Sequence, residues 1–284
     1  MRAEQVTDPH CFHAEGPVWH PEWPGLRWVD MLAGSVLTLD RTTGLVTRNQ
    51  VGDVVAALRP CVRGGAVLAL ERGFALANDA LDEIRPMPPL WPDPGVRMNE
   101  GACDPDGRFY CGSMAYDETP GAGTLYRFDG TGVVEPVLSG VTISNGLAFS
   151  PDGGTAYYVD TPTQRVDAFD YTGGELLNRR TLVEIDPASG SPDGLTVDAE
   201  GGLWVALFGG GAVHHYSSRG QLVDVIEVPV TNVTACTFGG QQLNELYITT
   251  SRQHMPPGRY GAAGAVFRVR LPVRGLPPLP FLPA

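Results

Sequence analysis

Four polar residues stand ahead of a glycine in related segments of the chain: Glu15-Gly16, Asn99-Glu100-Gly101, Asn145-Gly146 and Asp193-Gly194. Two carboxylates and two carboxamides brought to one place would be unstable alone, because each negative charge raises the pKa of its neighbour. A divalent cation resolves the conflict. Glu15 and Asp193 balance its two charges, and Asn145 adds a neutral oxygen. All-oxygen ligation suits hard ions, Ca²⁺ first and then Mg²⁺ or Mn²⁺, whereas Zn²⁺ would lack its usual softer ligands. Turn duty alone explains any one of these residues, since Asn and Asp before Gly are common turn formers. Four at one register favour a metal site.

That register comes from an internal repeat. Asn99 to Gly107, Asn145 to Gly153 and Asp193 to Gly201 align without gaps, and each is followed by a second apolar run. A fourth copy starts at Glu15, a fifth at Thr234 and a weaker sixth near Ala56. These anchors lie 41, 43, 46, 48 and 41 residues apart. A period of about 40–50 residues, with several short strands in each, is the mark of propeller blades. The expected fold is therefore all-β: a six-bladed β-propeller of four-stranded antiparallel blades around a central channel. It accounts for residues 1–284 as one domain, with a Pro-rich extended tail at 272–284. The segment around Gln5 and Val6 is expected to pair with the last blade and remove a free edge. The ring at the axis then reads Glu15, Ala56, Asn99, Asn145, Asp193 and Thr234.

Composition agrees. The 36 Gly and 25 Pro among 284 residues exclude a helical bundle and suit strands joined by turns. A formal net charge of −12 counts against nucleic-acid and membrane-surface partners. All 20 basic residues are Arg. With no Lys, Schiff-base and Walker-type chemistry are excluded. The five scattered cysteines form no C-x-x-C pair, no signal peptide is visible at the start, and no apolar run is long enough to span a membrane. A cytoplasmic setting is expected.

Several segments together resemble the senescence marker protein/regucalcin/gluconolactonase family: Ala14-Glu-Gly-Pro-Val-Trp19, Arg97-Met-Asn-Glu-Gly101, Ser144-Asn-Gly-Leu-Ala-Phe149, Ser191-Pro-Asp-Gly-Leu-Thr-Val-Asp198 and Val233-Thr-Ala-Cys-Thr-Phe-Gly-Gly240. The family's six-bladed propellers hydrolyse sugar lactones with a divalent metal. The resemblance implies Glu15, Asn145 and Asp193 as metal ligands, and Asp193 also as general acid/base. It implies Arg97 and Asn99 as substrate contacts, and Asp117 as a further acidic contact. Glu100 departs from the family, which commonly has Asp there, and its longer carboxylate is expected to change which hydroxyls are read. The partner implied is a small sugar lactone, met by a monomer or weak homo-oligomer.

The expected reaction opens a cyclic ester, with Asp193 moving a proton between the attacking water and the ring oxygen. A carboxylate bound to a cation is a weaker base, so Asp193 must hold its two jobs through different oxygens. Phosphotriester hydrolysis at the same centre and non-catalytic calcium or sugar binding are the competing readings. Other residues take blander roles. His214 and His215, on an alternating strand, read as structural. His10, His13, His20 and His254 show no ligand spacing. Trp19 and Trp204 read as blade packing. Cys103 and Cys111 read as buried in a blade, Gly209 to Gly211 as a hairpin turn, and no G-x-S-x-G elbow is present.

Overall fold

In the computed structural model, which describes residues 1–284, the strands form six antiparallel sheets of four. The innermost strands are Ala14–Trp19, Val55–Pro60, Val96–Cys103, Ser144–Phe149, Ser191–Val197 and Val233–Gly239. Each packs against the next, and the last returns to the first, so the sheets close into the expected six-bladed propeller. Glu4–Gln5 supplies the outer strand of the sixth blade by pairing with Arg268 and Phe267. The start of the chain is thus joined to the sixth blade, and no blade is left short.

Turns that begin on Asp and end on Gly, Asp104 to Gly107 and Asp198 to Gly201, build the first hairpin of blades three and five. Asp104 Oδ1 accepts the N–H groups of Asp106 and Arg108, and Asp198 Oδ1 accepts those of Glu200 and Gly202. Gly107 and Gly201 then take φ of +83° and +84°. Such left-handed backbone costs other residues about 1–2 kcal/mol. The glycines follow from the turn.

The apolar core lies in the wedges between blades rather than at the axis. Cys11, Trp19 and Tyr247 belong to the wedge joining blades six and one, and Trp204 and Phe238 to the one joining five and six. Trp19 stacks on Tyr247 at 5.6 Å, and Trp204 stacks on His215 at 3.9 Å. All five cysteines are free and buried. No helix is long and apolar enough to cross a membrane.

The Pro-rich end docks across the propeller. Arg274 O accepts from Ala199 N–H in blade five at 2.8 Å, and Gly275 N–H donates to Leu243 O in blade six. Farther along, Phe281 N–H donates to Pro60 O in blade two, and Leu282 N–H to Gly107 O in blade three. Phe281 is fully buried and stacks on Phe128 at 5.0 Å. Leu276 to Pro280 roof a cavity of about 490 Å³ walled by Val18, Ala102, Leu147 and Leu195. These wall residues follow the ring positions along their strands, so this strap closes the end of the channel remote from the ring.

Candidate functional site

Every innermost strand slips out of register with its neighbour at the same place. The shifts fall between Glu15 and Val18, Val55 and Ala57, Met98 and Gly101, Ser144 and Leu147, Pro192 and Leu195, and Val233 and Cys236. A β-bulge leaves residues out of the ladder and re-aims their side chains. All six ring positions lie at or inside these bulges. The Asn and Asp residues therefore stand in strand bulges, not in turns as their glycine neighbours suggested. The glycines answer to crowding instead. A Cβ on Gly194 would lie 2.6 Å from Ala235 Cβ in the next blade, and one on Gly146 would lie 2.7 Å from Leu195 N.

The bulges open onto a cavity of about 350 Å³ lined by Glu15, Arg97, Asn99, Asn145 and Asp193, which are five of the seven residues singled out from sequence. Ala56 is buried outside it. Thr234 Oγ1 instead donates to Ala14 O at 2.6 Å, tying blade six to blade one.

One hydrogen-bond chain orients the carboxamides. Arg97 Nη1 donates to Asn99 Oδ1 at 2.7 Å. Asn99 Nδ2 donates to Ser144 O at 2.7 Å and to Asn145 Oδ1 at 3.1 Å. Asn145 Nδ2 donates to Thr161 Oγ1 at 2.7 Å, and Thr161 donates onward to Pro192 O at 2.8 Å. Carbonyl oxygens only accept, so both ends of the chain fix the amide orientations between them. Asn145 therefore keeps its oxygen on the side facing Asn99.

The acids are held under tension. Burial pushes the Glu15 carboxyl well above the usual carboxylate range, and the charges of Asp193 and Glu100 add to it. Asp193 is also raised well above its ordinary value, by burial first and then by Glu100. Arg97, itself lowered by burial, faces both acids. Asp193 Oδ1 is buried with no hydrogen-bond partner, and Glu15 Oε2 accepts only the adjacent Gly16 N–H at 3.1 Å. An orphaned carboxylate oxygen beside a second desolvated acid is a poor arrangement for an apo core. It fits a divalent cation on Glu15, Asp193 and the Asn145 oxygen. The set is two acids and one amide, so its donors are hard oxygens.

Two sequence candidates lie elsewhere. Glu100 points away from the cavity, with Oε1 3.6 Å from Arg59 Nη2 and accepting from Gly101 N–H. Asp117 is exposed, and its Oδ1 accepts from the Thr119 backbone N–H and hydroxyl. Its neighbour Glu118, at φ 58°, lines the cavity in its place. Thr161, His13 and His254 were not anticipated there, yet all three line the cavity. His13 Nδ1 lies 2.7 Å from Ser251 Oγ, and its Nε2 lies 3.9 Å from Glu15 Oε1. Burial, then the Arg97 and His254 charges, push its pKa down to about 3. No signal in the sequence pointed to His13. His214 and His215 stay structural: His215 Nε2 lies 3.4 Å from Asp198 Oδ2, and His214 Nδ1 lies 3.0 Å from Tyr216 OH.

Comparison with known proteins agrees with the propeller fold. The SMP-30/Gluconolactonase/LRE-like region matches residues 13–252. A pentonolactonase of Haloferax volcanii is 35% identical over 287 residues, covering 98% of this chain and 97% of its own. Human regucalcin is 33% identical over 291 residues, covering 98% and 97%. The solved structure of a calcium-binding protein, regucalcin, from Agrobacterium tumefaciens superposes with a TM-score of 0.91 at 28% identity, covering 99% of this chain and 96% of that one. With its six-bladed fold and most of its length matched, the chain belongs to the SMP-30/gluconolactonase/LRE-like family.

Proposed function

We propose that this chain hydrolyses a sugar lactone, opening the ring to the sugar acid, with one divalent cation held by Glu15, Asn145 and Asp193. The observation that carries the reading is the orphaned Oδ1 of Asp193 beside buried Glu15 in a polar, monosaccharide-sized cavity. A relative named as a pentonolactonase supports the substrate class. A structural neighbour described as a calcium-binding protein supports Ca²⁺ ahead of Mg²⁺, Mn²⁺ or Zn²⁺.

When bound, the cation supplies Lewis acidity and stabilises the charge that develops on the carbonyl oxygen. Asp193 takes a proton from the attacking water and returns it to the ring oxygen as the ester bond breaks. Arg97 and Asn99, locked to each other at 2.7 Å, hold the sugar ring over the water. Glu118 supplies an acceptor for sugar hydroxyls at the mouth. Glu100 and Asp117 make no direct contact with substrate in this reading. The protein acts in the cytoplasm on a free small molecule, as a monomer or weak homo-oligomer.

Proton release from a panel of aldonolactones, followed with a pH indicator with and without chelator, tests this. Release only with lactones and only with metal is expected. Metal-dependent release from an organophosphate but not from lactones overturns the substrate class, and sugar binding without release overturns catalysis.

A further inference from the structure

The cavity has an uneven supply of hydrogen-bond donors. On the side of blades three and four, most carboxamide donors are already taken: Asn99 Nδ2 gives both N–H groups to Ser144 O and Asn145 Oδ1, and Asn145 Nδ2 gives one to Thr161. Arg97 Nη1 is engaged by Asn99 Oδ1 and Met98 O and its Nε is buried away from any partner, which leaves Nη2 as its donor to a ligand on this side. The acids Glu15, Asp193 and Glu118 can only accept while ionised. A polyhydroxylated ligand with a carbonyl needs donors as well as acceptors.

On the opposite wall, His13 answers that need. Ser251 Oγ accepts the Gln253 N–H at 2.9 Å, and the acceptor within reach of its own proton is His13 Nδ1 at 2.7 Å. The hydroxyl therefore donates to Nδ1, which puts the imidazole N–H on Nε2. That Nε2 faces the cavity 3.9 Å from Glu15 Oε1, too far for a direct hydrogen bond. The ring is otherwise enclosed, with the residue 5% exposed. A fixed, unpartnered donor aimed into a cavity of acceptors is a ligand contact rather than a packing group.

We infer that His13 Nε2–H donates a hydrogen bond to one hydroxyl or carbonyl oxygen of the bound sugar, held in that tautomer by Ser251, and so sets which lactone the site prefers. The inference rests on the lactonase reading and extends it to specificity. His13 does not hold the cation in this arrangement, because its lone pair on Nδ1 is turned to Ser251.

The experiment compares wild type, His13→Ala, His13→Gln and Ser251→Ala on a parent aldonolactone and its monodeoxy analogues, with Ca²⁺ affinity measured alongside. His13→Ala is expected to lower kcat/KM for the parent about tenfold, mainly through KM. One deoxy analogue should lose nothing further, and Ca²⁺ affinity should stay within about twofold. His13→Gln, which keeps an N–H donor, should recover part of the loss. Ser251→Ala should show the same pattern more weakly, which also covers the case of a poorly folding His13→Ala. An equal loss on every lactone assigns His13 a structural role and overturns the inference. A fall in Ca²⁺ affinity with His13→Ala makes it a metal ligand and overturns it too. If wild type opens no lactone, the lactonase reading fails, and the pattern is read from binding of cyclic polyols with the same hydroxyls but no carbonyl. There, loss confined to one hydroxyl supports His13, while uniform loss or no binding by wild type overturns it.

Discussion

Asn99 Nδ2 donates to Asn145 Oδ1 at 3.1 Å across the boundary between the third and fourth blades. The bond joins a residue proposed to touch substrate to one proposed to hold the cation. Because Arg97 and Thr161 fix the two outer ends, neither carboxamide can turn without breaking the chain. In the proposed reading, substrate binding and metal binding are therefore coupled by geometry, not only by shared charge.

Asn99→Ala should lower kcat/KM for a lactone by about 10–100-fold and also weaken metal binding, since Asn145 loses the donor that orients it. In a double-mutant cycle with Asn145→Ala the two losses should couple by about 0.5–3 kcal/mol. Simple additivity would show that the two residues act independently.

Glu15→Gln should fold normally, because a neutral side chain removes a buried charge that Asp193 and Glu100 oppose. Saturating Ca²⁺ should raise the wild-type Tm, since a ligand at 100 times its Kd adds about 2.7 kcal/mol. The variant should lose that shift. A variant that keeps it would remove Glu15 from the ligand set.

Much of this site was legible in sequence, and the exceptions have local causes. The repeat period placed five polar residues in one ring because the bulge recurs in every blade, so register carried the information. Glu100 shares the bulge between Met98 and Gly101 with Asn99, and a bulge aims its residues in ways the repeat register does not reveal. With Asn99 turned to the cavity, its neighbour meets Arg59. Asp117 missed by one residue because Thr119 engages its carboxylate in a turn and leaves Glu118 to face inward. His13 was invisible for a different reason. Its partner Ser251 lies 238 positions away, brought close only when blade six closes on blade one.

Gly194→Ala should be damaging beyond its size. The added Cβ would fall 2.6 Å from Ala235 Cβ and 3.0 Å from Thr234 O, so blade five must shift against blade six. A loss of about 1–3 kcal/mol is expected from overpacking. Asp193 precedes this glycine in the same bulge, so activity should fall further than stability explains. Chemical denaturation and kcat measured together check it. Full activity in a destabilised variant would show that the ring does not depend on this close approach.

Asp198 offers a pH test outside the cavity. Burial raises its pKa, but hydrogen bonds from His215, Trp204 and the backbone N–H groups of Gly202 and Glu200 outweigh that and hold it below 3.8. A depressed carboxylate binds fewer protons folded than unfolded. Its stabilisation is therefore present above pH 3.8 and fades as pH falls through the lower folded value. Asp198→Asn should cost about 1–3 kcal/mol near neutral pH, because an amide N–H₂ would meet the Trp204 donor. The gap from wild type should narrow as pH drops below 3.8. A gap that stays constant down to pH 2 would mean the charge is not what matters.

The strap and the ring close opposite ends of one channel, and that separates their mutational effects. Phe281 is fully buried and stacked on Phe128, so Phe281→Ala should cost about 3–5 kcal/mol. Its neighbours on the strap roof the remote cavity, which shares no lining residue with the cavity at the ring. KM for lactone and affinity for Ca²⁺ should stay near wild type wherever the variant remains folded. The denaturation midpoint and KM, measured on the same preparation, read the two effects separately. Matching losses in both would show that the innermost strands carry strain from the strap to the bulges, and the channel would then have to be treated as one mechanical unit.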